Sequence, residues 1–381
     1  MEKFDVVICG AGPSGTTAAL ALGKSGLKVA LLDKCVFPRD KVCGDAIPAY
    51  IPKVLATIDP AYANALEKFE HKELVNTCRI VAPNKKILDL KFLTNAFIST
   101  RLVFDNFLFE LASKLPNLAI FQNTTVNNVV VNEDAVIVYT EGALTIEARL
   151  VIGCDGANGI LKKKLTNWKI DLKHHSGAVR AYYKNVAGIP KGTLELHFLK
   201  DILPGYFWLF PLENNQANIG LGMLSKKISG NKINLKKEMM HIIETNSYIK
   251  DRFANAEMTG DIKGFGLPLG SRKVQMSGNR FMLCGDAASL IDPVTGEGIG
   301  HAMVSGRYAG WQAMKCFEKN DFSAPFMKAY DKTVYTKLWK GNRNRYYLQA
   351  LLNHCPWSLS LGATIASKSK LMHRLIEKML G

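Results

Sequence analysis

The first 34 residues constrain the fold most, because a glycine-rich turn lies between two apolar segments. A buried strand is predicted over Phe4 to Cys9, and Gly10-Ala11-Gly12-Pro13-Ser14-Gly15 follows it. A helix of small residues is then predicted over Thr16 to Lys24. A second strand over Lys28 to Leu32 ends at Asp33. This order of strand, turn, helix, strand and acid predicts a dinucleotide-binding βαβ unit.

The residue types in this unit each have a physical role. Gly10 permits the tight turn, Gly12 lets the backbone approach a pyrophosphate, and Gly15 lets the helix pack closely on the strand. The free N–H groups and the dipole at the start of the helix favour negative phosphates. Asp33 is placed to accept hydrogen bonds from a ribose. The unit alone leaves open which dinucleotide it holds.

Composition describes an ordinary globular protein of one interleaved domain or two domains, since 48% of the 381 residues are hydrophobic and 22% are charged. The eight cysteines are scattered without a C-x2-C pair, so neither a zinc ribbon nor an iron–sulfur cluster is predicted, and no metal site is expected. Free cysteines fit a reducing compartment. We therefore expect a cytoplasmic protein without a signal peptide or a membrane span.

The net charge is +16, and half of it lies in the tail from residue 326 onward. No helix-turn-helix, RNP or OB pattern accompanies it, so we expect no nucleic-acid partner. A basic surface that meets anionic lipid or an acidic substrate and a merely solvated surface both remain open. Ser367 to Leu380 is predicted to form a basic amphipathic helix, which either rests on the inner membrane surface or docks on its own domain. A monomer is compatible with the sequence.

Polar residues follow two further apolar strands. Asp155-Gly156 comes after a strand over Leu144 to Ile152, and Gly285-Asp286 comes after Phe281 to Cys284. Ligands of open α/β sheets bind outside such strand ends. Arg101 opens an amphipathic helix, which is the unfavourable end for a cation, and this placement favours contact with a phosphate or another part of a cofactor.

Three longer stretches add a family resemblance: Phe37-Pro38-Arg39-Asp40-Lys41-Val42-Cys43-Gly44, Pro204-Gly205-Tyr206-Phe207-Trp208-Leu209-Phe210-Pro211, and Gly285 to Ser289 with Asp292 to Ile299. With the glycine turn, they make the chain resemble FAD-dependent oxidoreductases of the para-hydroxybenzoate hydroxylase fold, from residue 2 to about residue 325. Within that fold the chain resembles the geranylgeranyl reductase family. The resemblance implies bound FAD and hydride transfer from reduced flavin to a carbon–carbon double bond of an isoprenoid or similar apolar chain.

The expected fold is α/β, with a three-layer, Rossmann-like FAD-binding domain interleaved with an antiparallel-sheet substrate domain. The FAD-binding domain is expected over 1–75, 98–168 and 272–325, and the substrate domain over 76–97 and 169–271. The C-terminal region, 326–381, is expected to be helical.

The resemblance, together with the strand-end argument, gives a set of expected FAD contacts: Gly10, Gly12, Pro13, Ser14, Gly15, Asp33, Lys34, Lys41, Cys43, Gly44, Arg101, Val126, Asp155, Gly156, Gly285, Asp286, Pro293, Gly296, Gly298 and Ile299. The helix that starts near Ile299 is expected to stabilise negative charge on reduced flavin. Because no second glycine fingerprint exists, NAD(P)H is expected only as a transient reductant. Gly159, where relatives often have serine, leaves the nicotinamide contact open.

Cys43 is the candidate catalytic residue, in a loop that passes along the flavin in relatives. It is a proton donor, a substrate contact or a small packed residue, and the sequence shows no base beside it. Residue 45 is often glycine in the family but is aspartate here, which is expected to alter substrate entry.

Tyr206, Trp208 and Phe210 share one face of a strand and are expected to form the wall of an apolar substrate pocket, although plain sheet packing is the alternative. Flavin halogenases have a related Trp-x-Trp-x-Ile-Pro segment. This chain has tyrosine for the first tryptophan and phenylalanine for the isoleucine, which argues against halogenation.

Three other functions stay open. The first is an NAD(P)H-dependent monooxygenase of an aromatic or polyketide-like substrate. The second is an electron-transfer flavoprotein dehydrogenase, which the lack of a C-terminal cysteine cluster disfavours. The third is a binding role without chemistry.

Overall fold

Sixteen strands and ten α-helices make up residues 1–369, which are the part of the chain that this computed structural model describes. The strands are β1 Glu2–Cys9, β2 Val29–Leu32, β3 Ala46–Ile47, β4 Glu73–Val81, β5 Ile87–Ile98, β6 Leu118–Phe121, β7 Val126–Val131, β8 Val136–Thr140, β9 Thr145–Gly153, β10 His175–Lys184, β11 Thr193–His197, β12 Tyr206–Pro211, β13 Gln216–Leu224, β14 Glu257–Pro268, β15 Ser277–Gly278 and β16 Phe281–Leu283. The helices are α1 Pro13–Leu22, α2 Ile51–Ala56, α3 Pro60–Glu67, α4 Arg101–Ser113, α5 Leu161–Leu165, α6 Ser225–Gly230, α7 Leu235–Thr245, α8 Ile299–Lys319, α9 Ala324–His354 and α10 Trp357–Lys368.

The first sheet has the order β15-β16-β9-β1-β2-β6, and β8 and β7 extend it from β9. The strands from β16 to β6 are parallel. Val6, Val7 and Ile8 of the central β1 are fully buried, because a parallel sheet is covered on both faces. Cys9 pairs with Leu32 and with Gly153, so these strand ends and the segments that follow them meet at one edge.

The second sheet has the order β14-β10-β13-β12-β11-β4-β5-β3. Its neighbours are antiparallel except for β11 and β4. The expected α/β fold with a mostly antiparallel second sheet is therefore confirmed. The edge strand β14 was not expected, because its sequence mixes glycines and exposed polar residues that obscure the alternation of a strand.

Helices α9 and α10 connect the two sheets. The Tyr330 hydroxyl of α9 donates a hydrogen bond to the Leu283 carbonyl at the end of β16 (2.7 Å). The Asn84 amide, in the turn between β4 and β5, donates to the Ser360 carbonyl of α10 (3.0 Å). Arg345 of α9 forms a 2.7 Å ion pair with Asp292, the buried residue just before the expected flavin loop. The C-terminal helices thus cover the space between the sheets.

Two further expectations concern contact with a membrane. The basic amphipathic helix predicted over Ser367 to Leu380 lies outside the described residues, apart from its first three. In residues 1–369, no helix combines the length and the apolar character that crossing a bilayer requires.

Candidate functional site

A cavity of about 2060 Å³ lies between the carboxyl edge of the first sheet, one face of the second sheet and helices α9 and α10. Every residue expected at the site lines it except Gly15 and Gly285, which lie behind its wall. Pockets for single small ligands usually measure about 300–1,000 Å³. The cavity therefore has room for a dinucleotide and a second ligand together.

The glycine turn forms one end of this cavity. Gly10 has a φ of +105°, and a Cβ atom on Gly15 would lie 1.8 Å from the Gly10 carbonyl oxygen, so only glycine allows α1 to start directly on the turn. A Cβ atom on Gly12 would meet only an Arg39 nitrogen, at 3.5 Å. Helix α1 begins at Pro13 without a side-chain cap. Its first amides are therefore available to an anion such as a pyrophosphate.

Asp33 is fixed beside the turn by two backbone amides. Its Oδ2 accepts from Ala11 N at 2.8 Å, and its Oδ1 accepts from Cys35 N at 2.9 Å. A carboxylate oxygen accepts more than one hydrogen bond, so both oxygens retain capacity for ribose hydroxyls. Lys34 and Val126 lie nearby in the same wall.

The other strand ends contribute acidic groups and tight packing. Asp286 follows β16 and lines the cavity, whereas Gly285 lies behind it and donates its amide hydrogen to the Ser305 hydroxyl of α8 (2.9 Å). Asp155 follows β9, and its Oδ2 accepts from Leu161 N at 2.9 Å, which caps α5. Its Oδ1 is buried without a partner among the described residues. Burial raises the pKa of this carboxyl, against the hydrogen bond from Leu161.

The glycine at position 159 has a steric reason. A Cβ atom there would lie within 2.3 Å of the carboxyl atoms of Asp155. The serine of relatives therefore requires a different position of this carboxyl. Lys162, which follows this motif in the chain, is buried, and its ammonium lies 3.9 Å from the centre of the Trp168 ring. Burial lowers its pKa to about 8.

Arg101 is not the uncompensated cation that its helix position suggested. Its guanidinium forms two hydrogen bonds to Asp105 (2.6 and 2.7 Å), and Arg39 contacts the same carboxylate at 2.7 Å. Burial works against the charge, but Asp105 holds the pKa of Arg101 above its usual range. The buried Arg101 and the half-buried Arg39 share one aspartate, so a positive charge remains on this wall of the cavity.

The start of α8 is also partly occupied. The Glu297 carboxylate accepts hydrogen bonds from the amides of Gly300 (2.7 Å) and His301 (3.3 Å). These two first-turn amides are therefore already bonded and do not remain free for a ligand. The amides of Gly298 and Ile299, after the left-handed Gly296, remain for a ligand. Pro293 completes this part of the cavity wall.

The loop between β2 and β3 brings Lys41, Cys43 and Gly44 to the cavity. The Lys41 ammonium lies 3.0 Å from the centre of the Phe265 ring, and burial lowers the pKa of Lys41 to about 8. Burial raises the pKa of the Cys43 thiol, with Arg101 acting in the opposite direction. Cys43 is thus a protonated thiol at neutral pH, not a thiolate nucleophile.

The aromatic strand β12 faces the cavity with the three expected side chains. The Tyr206 hydroxyl donates to the Thr295 carbonyl in the loop before α8. Trp208 donates through Nε1 to Asn218 Oδ1 at 2.9 Å. Phe207 and Leu209 point to the opposite face of the sheet and pack in a separate core. Tyr206, Trp208 and Phe210 therefore both pack on the sheet and line the cavity.

Sequence reasoning missed a buried polar network behind this wall. Asp45 Oδ2 accepts from the Tyr182 hydroxyl and from Asn218 Nδ2, both at 2.7 Å, and the same Asn218 nitrogen donates to the Cys43 carbonyl at 2.8 Å. The only signal in the sequence was an acid where relatives often have glycine.

The residues of the cavity fit FAD. An open glycine backbone and free helix amides suit the pyrophosphate, and a fixed acid suits the ribose. The cations Lys41 and Arg101 and the start of α8 lie in the wall toward the second sheet. Cations and helix N-termini suit the anionic edge of a flavin.

Comparison with protein families agrees with this geometry. A family model described as FAD binding domain matches residues 100–332, and a model described as FAD dependent oxidoreductase matches residues 5–163. The chain belongs to the FAD binding domain family. FAD is its cofactor, and the expectation of an FAD-dependent oxidoreductase is confirmed.

Individual relatives point the same way. The digeranylgeranylglycerophospholipid reductase of Thermoplasma volcanium is 29% identical over 346 residues, covering 88% of this chain and 84% of the relative. The geranylgeranyl diphosphate reductase of Rhodobacter capsulatus is 29% identical over 360 residues, covering 91% and 85%. A crystal structure of a geranylgeranyl bacteriochlorophyll reductase-like protein from Thermoplasma acidophilum superposes with a TM-score of 0.81 at 25% identity, covering 92% and 88%. The resemblance inferred from the motifs is confirmed.

Proposed function

We propose that this protein reduces carbon–carbon double bonds in an isoprenoid chain. The observation that carries the proposal is an apolar chamber, which is the part of the cavity that lies beyond the expected FAD contacts. Its walls come from the second sheet and from the C-terminal helices: Cys78, Ile80, Leu88, Leu90, Leu194, Leu196, Phe198, Trp208, Phe210, Leu267, Leu348, Leu352, Leu359 and Ala363. The names of the relatives, which refer to geranylgeranyl groups, support the same substrate class.

Within this chamber the protein binds, orients and shields the substrate. FAD supplies the hydride when it is bound and reduced. The apolar walls hold a prenyl chain through burial of its surface. The side chains of β12 form one of these walls. The glycine turn from Gly10 to Gly15 and Asp33 form what we call the cofactor cradle, and the protonated Cys43 thiol and the Lys41 ammonium line the same cavity. As for the reductant, the protein has one glycine fingerprint, so we propose that NAD(P)H acts only transiently if it is the donor.

The experiment is a substrate panel presented to photoreduced, FAD-loaded protein without oxygen. We expect prenyl lipids with unsaturated chains to reoxidise the flavin and to gain two hydrogens per reduced bond, whereas saturated chains and aromatic acids leave the flavin reduced. Mass spectrometry and the flavin absorbance measure both results. Hydroxylation of an aromatic acid with NAD(P)H and oxygen, without alkene reduction, would instead establish a monooxygenase.

We further propose that the mouth of the chamber rests on anionic lipid. We take the mouth to be the exposed part of the lining around Leu93 (96% exposed) and the start of α10. Trp357 (65%) and Leu361 (50%) do not line the cavity themselves but flank the lining residues Ser358, Leu359 and Gly362. Lys337 and Lys340 are exposed on the part of α9 that lines it. Exposed apolar side chains next to lysines match an interface with acyl chains below and anionic headgroups above. A prenyl lipid would then enter the chamber directly from the bilayer.

A further inference from the structure

An acidic side chain lies where the cavity is expected to favour negative charge on the flavin. Glu297 directly precedes the free amides of Gly298 and Ile299 at the start of α8. Its side chain is 20% exposed and lines the cavity. Charge near the flavin ring is one of the means by which a protein tunes this cofactor. A carboxylate at this helix start opposes the gain of negative charge on reduction, unless a cation offsets it.

The contacts of Glu297 show that it is ionised. Its Oε1 accepts from the amides of Gly300 and His301, and its Oε2 lies 3.1 Å from Nε2 of the His301 ring. The Tyr50 hydroxyl donates to both oxygens, at 3.2 and 3.1 Å. Burial, together with Glu297, raises the pKa of Tyr50, so this hydroxyl stays protonated. An ionised carboxylate only accepts hydrogen bonds, which matches this set of donors, whereas a protonated one has to donate.

The contacts of the His301 ring show that it is a cation. Its Nδ1 lies 2.7 Å from the carbonyl oxygen of Leu290, which only accepts, so Nδ1 carries a hydrogen. Its Nε2 faces the ionised Glu297 carboxylate, so Nε2 carries a hydrogen as well. An imidazole ring with both hydrogens has a charge of +1. The His301 side chain is only 7% exposed, so solvent screens this charge weakly.

The local sequence brings the two charges together. Glu297 and His301 are four residues apart, a spacing that places two side chains on one face of a helix. Gly300 keeps the site open, because a Cβ atom there would lie 2.1 Å from the Tyr50 hydroxyl oxygen and 2.7 Å from Glu297 Oε1. Glycine at position 300 therefore lets Tyr50 complete the set of donors.

The neighbouring acids have cations of their own. Asp292, which precedes the loop, forms its ion pair with Arg345 of α9. Asp286 lies beside Gly298, and the ammonium of Lys41 interacts with it. His301 is thus the cation in contact with Glu297.

We propose that His301 sets the reduction potential of bound FAD by neutralising Glu297. Reduction adds negative charge to the flavin, and an unbalanced carboxylate at the start of α8 would oppose it. The imidazolium removes that opposition and keeps the reduced cofactor accessible. Since the effect concerns FAD itself, it holds whichever substrate the chamber binds. Because it acts through Glu297, His301 is a positioning residue, not a catalytic one.

The test measures the reduction potential of FAD-loaded wild type and His301→Gln against a reference dye without oxygen. Glutamine is neutral and close to histidine in size. We expect the equilibrium constant for reduction to fall about tenfold, which lowers the potential by about 30 mV for a two-electron couple. In the double variant Glu297→Gln with His301→Gln, both charges are absent. Its equilibrium constant should return to within about threefold of the wild type.

A matched control uses a second buried histidine–glutamate pair. His197 Nε2 lies 2.9 Å from Glu195 Oε2 in the second sheet, and neither residue lines the cavity. His197→Gln removes the same chemical group as His301→Gln. It should leave the potential of FAD unchanged.

The charge of His301 is measured without a mutation of the pair by NMR of ¹⁵N-histidine in the oxidised, FAD-loaded wild type at pH 7. The His301 signal is identified by its absence from His301→Gln. We expect both ring nitrogens of His301 to carry hydrogens, and one bare nitrogen would overturn the proposal.

Three results of the redox test would also overturn it. The first is an unchanged potential in His301→Gln, and the second is a fall that Glu297→Gln does not restore, since that would show a packing role alone. The third is an equal fall in His197→Gln. Should His301→Gln lose FAD, Glu297→Gln by itself decides. It must raise the potential, because it leaves the imidazolium unbalanced, and an unchanged or lower value would contradict the proposal.

Discussion

The cofactor cradle and the substrate chamber are built by different means. The cradle is formed by backbone. Gly10, Gly12 and Gly15 lie within six consecutive residues, and the absence of side chains there lets the chain turn and the backbone stay accessible. The chamber uses side chains from distant segments. Asp45, Tyr182, Trp208 and Asn218 meet across more than 130 residues of sequence. The first region tolerates no added atom at Gly10 or Gly15, whereas the second depends on particular polar atoms keeping their partners.

The largest effect should come from Gly15→Ala. Its Cβ atom would overlap the Gly10 carbonyl oxygen, which is backbone and has no room to move. We expect the free energy of unfolding to fall by about 4 kcal/mol or more and bound FAD to be lost, measured by denaturant unfolding and flavin absorbance. Gly12→Ala is the control, since its Cβ has space in the protein. It should fold normally and bind FAD more weakly. Normal FAD binding by Gly15→Ala would contradict a cradle defined by backbone.

Asp45→Asn should have the next largest effect, and it should stabilise the protein. The pKa of Asp45 is raised to about 6 in the folded state. Below about pH 4 the carboxyl is protonated in both states, so its favourable burial as an acid is fully present there. That contribution is lost as the pH rises through 6. At pH 8 we expect the variant to unfold with about 2–3 kcal/mol more free energy than the wild type.

The measurement is urea unfolding of both proteins at pH 4 and pH 8. A difference that is equal at the two pH values would show that Asp45 is not an acid destabilised by burial. Asp201→Asn, an exposed carboxylate, should show no such pH dependence.

Gly220→Ala should damage the chamber and leave the cradle intact. A Cβ atom there would lie 2.0 Å from the Trp208 ring and would displace this ring from Asn218. We expect a loss of about 1–3 kcal/mol in unfolding free energy, typical of overpacking. Flavin content should be unchanged, and flavin reoxidation by a prenyl lipid should slow. A loss of flavin as the first effect would mean that the two regions are not separable.

The smallest effect should come from the mouth of the chamber. The double variant Leu93→Ser with Trp357→Ser removes two exposed apolar side chains. Binding to vesicles of anionic phospholipid should weaken by roughly thirtyfold, since each of the two side chains contributes on the order of 1 kcal/mol at an interface. The control Ile170→Ser with Leu172→Ser removes exposed apolar groups that do not line the cavity. Equal losses in both proteins would exclude a specific docking face.

Much of the fold could be predicted from the sequence because its signals are local. The βαβ unit, the second sheet and the strand-end motifs follow from short apolar segments and adjacent glycines. Strand β14 was missed because its polar edge residues carry no such signal. Helix α2 begins only at Ile51, because Ala46 and Ile47 pair with β5, a contact between distant segments that the local sequence does not reveal.

The site could be predicted only where one residue type carries the chemistry. The positions around Gly10 and Asp286 needed no knowledge of partners. The sharing of the Asp105 carboxylate by Arg101 and Arg39 and the burial of Lys162 depend on tertiary contacts, and the capping of α8 by Glu297 depends on a side-chain conformation that spacing alone does not give. Spacing shows that Asp105 is within reach of Arg101, but not that Arg39 shares its carboxylate.

The ion pair between Arg345 and Asp292 has a thermodynamic consequence. Asp292 also fixes the amides of Val294 and Thr295, so its carboxylate joins helix α9 to the loop that precedes α8. Linkage is reciprocal. A lipid that changes the position of α9 must alter the affinity for FAD by the same factor by which FAD alters the affinity for that lipid. Under that condition, the Asp292 carboxylate is the contact through which lipid binding at α9 would be linked to FAD binding beside α8.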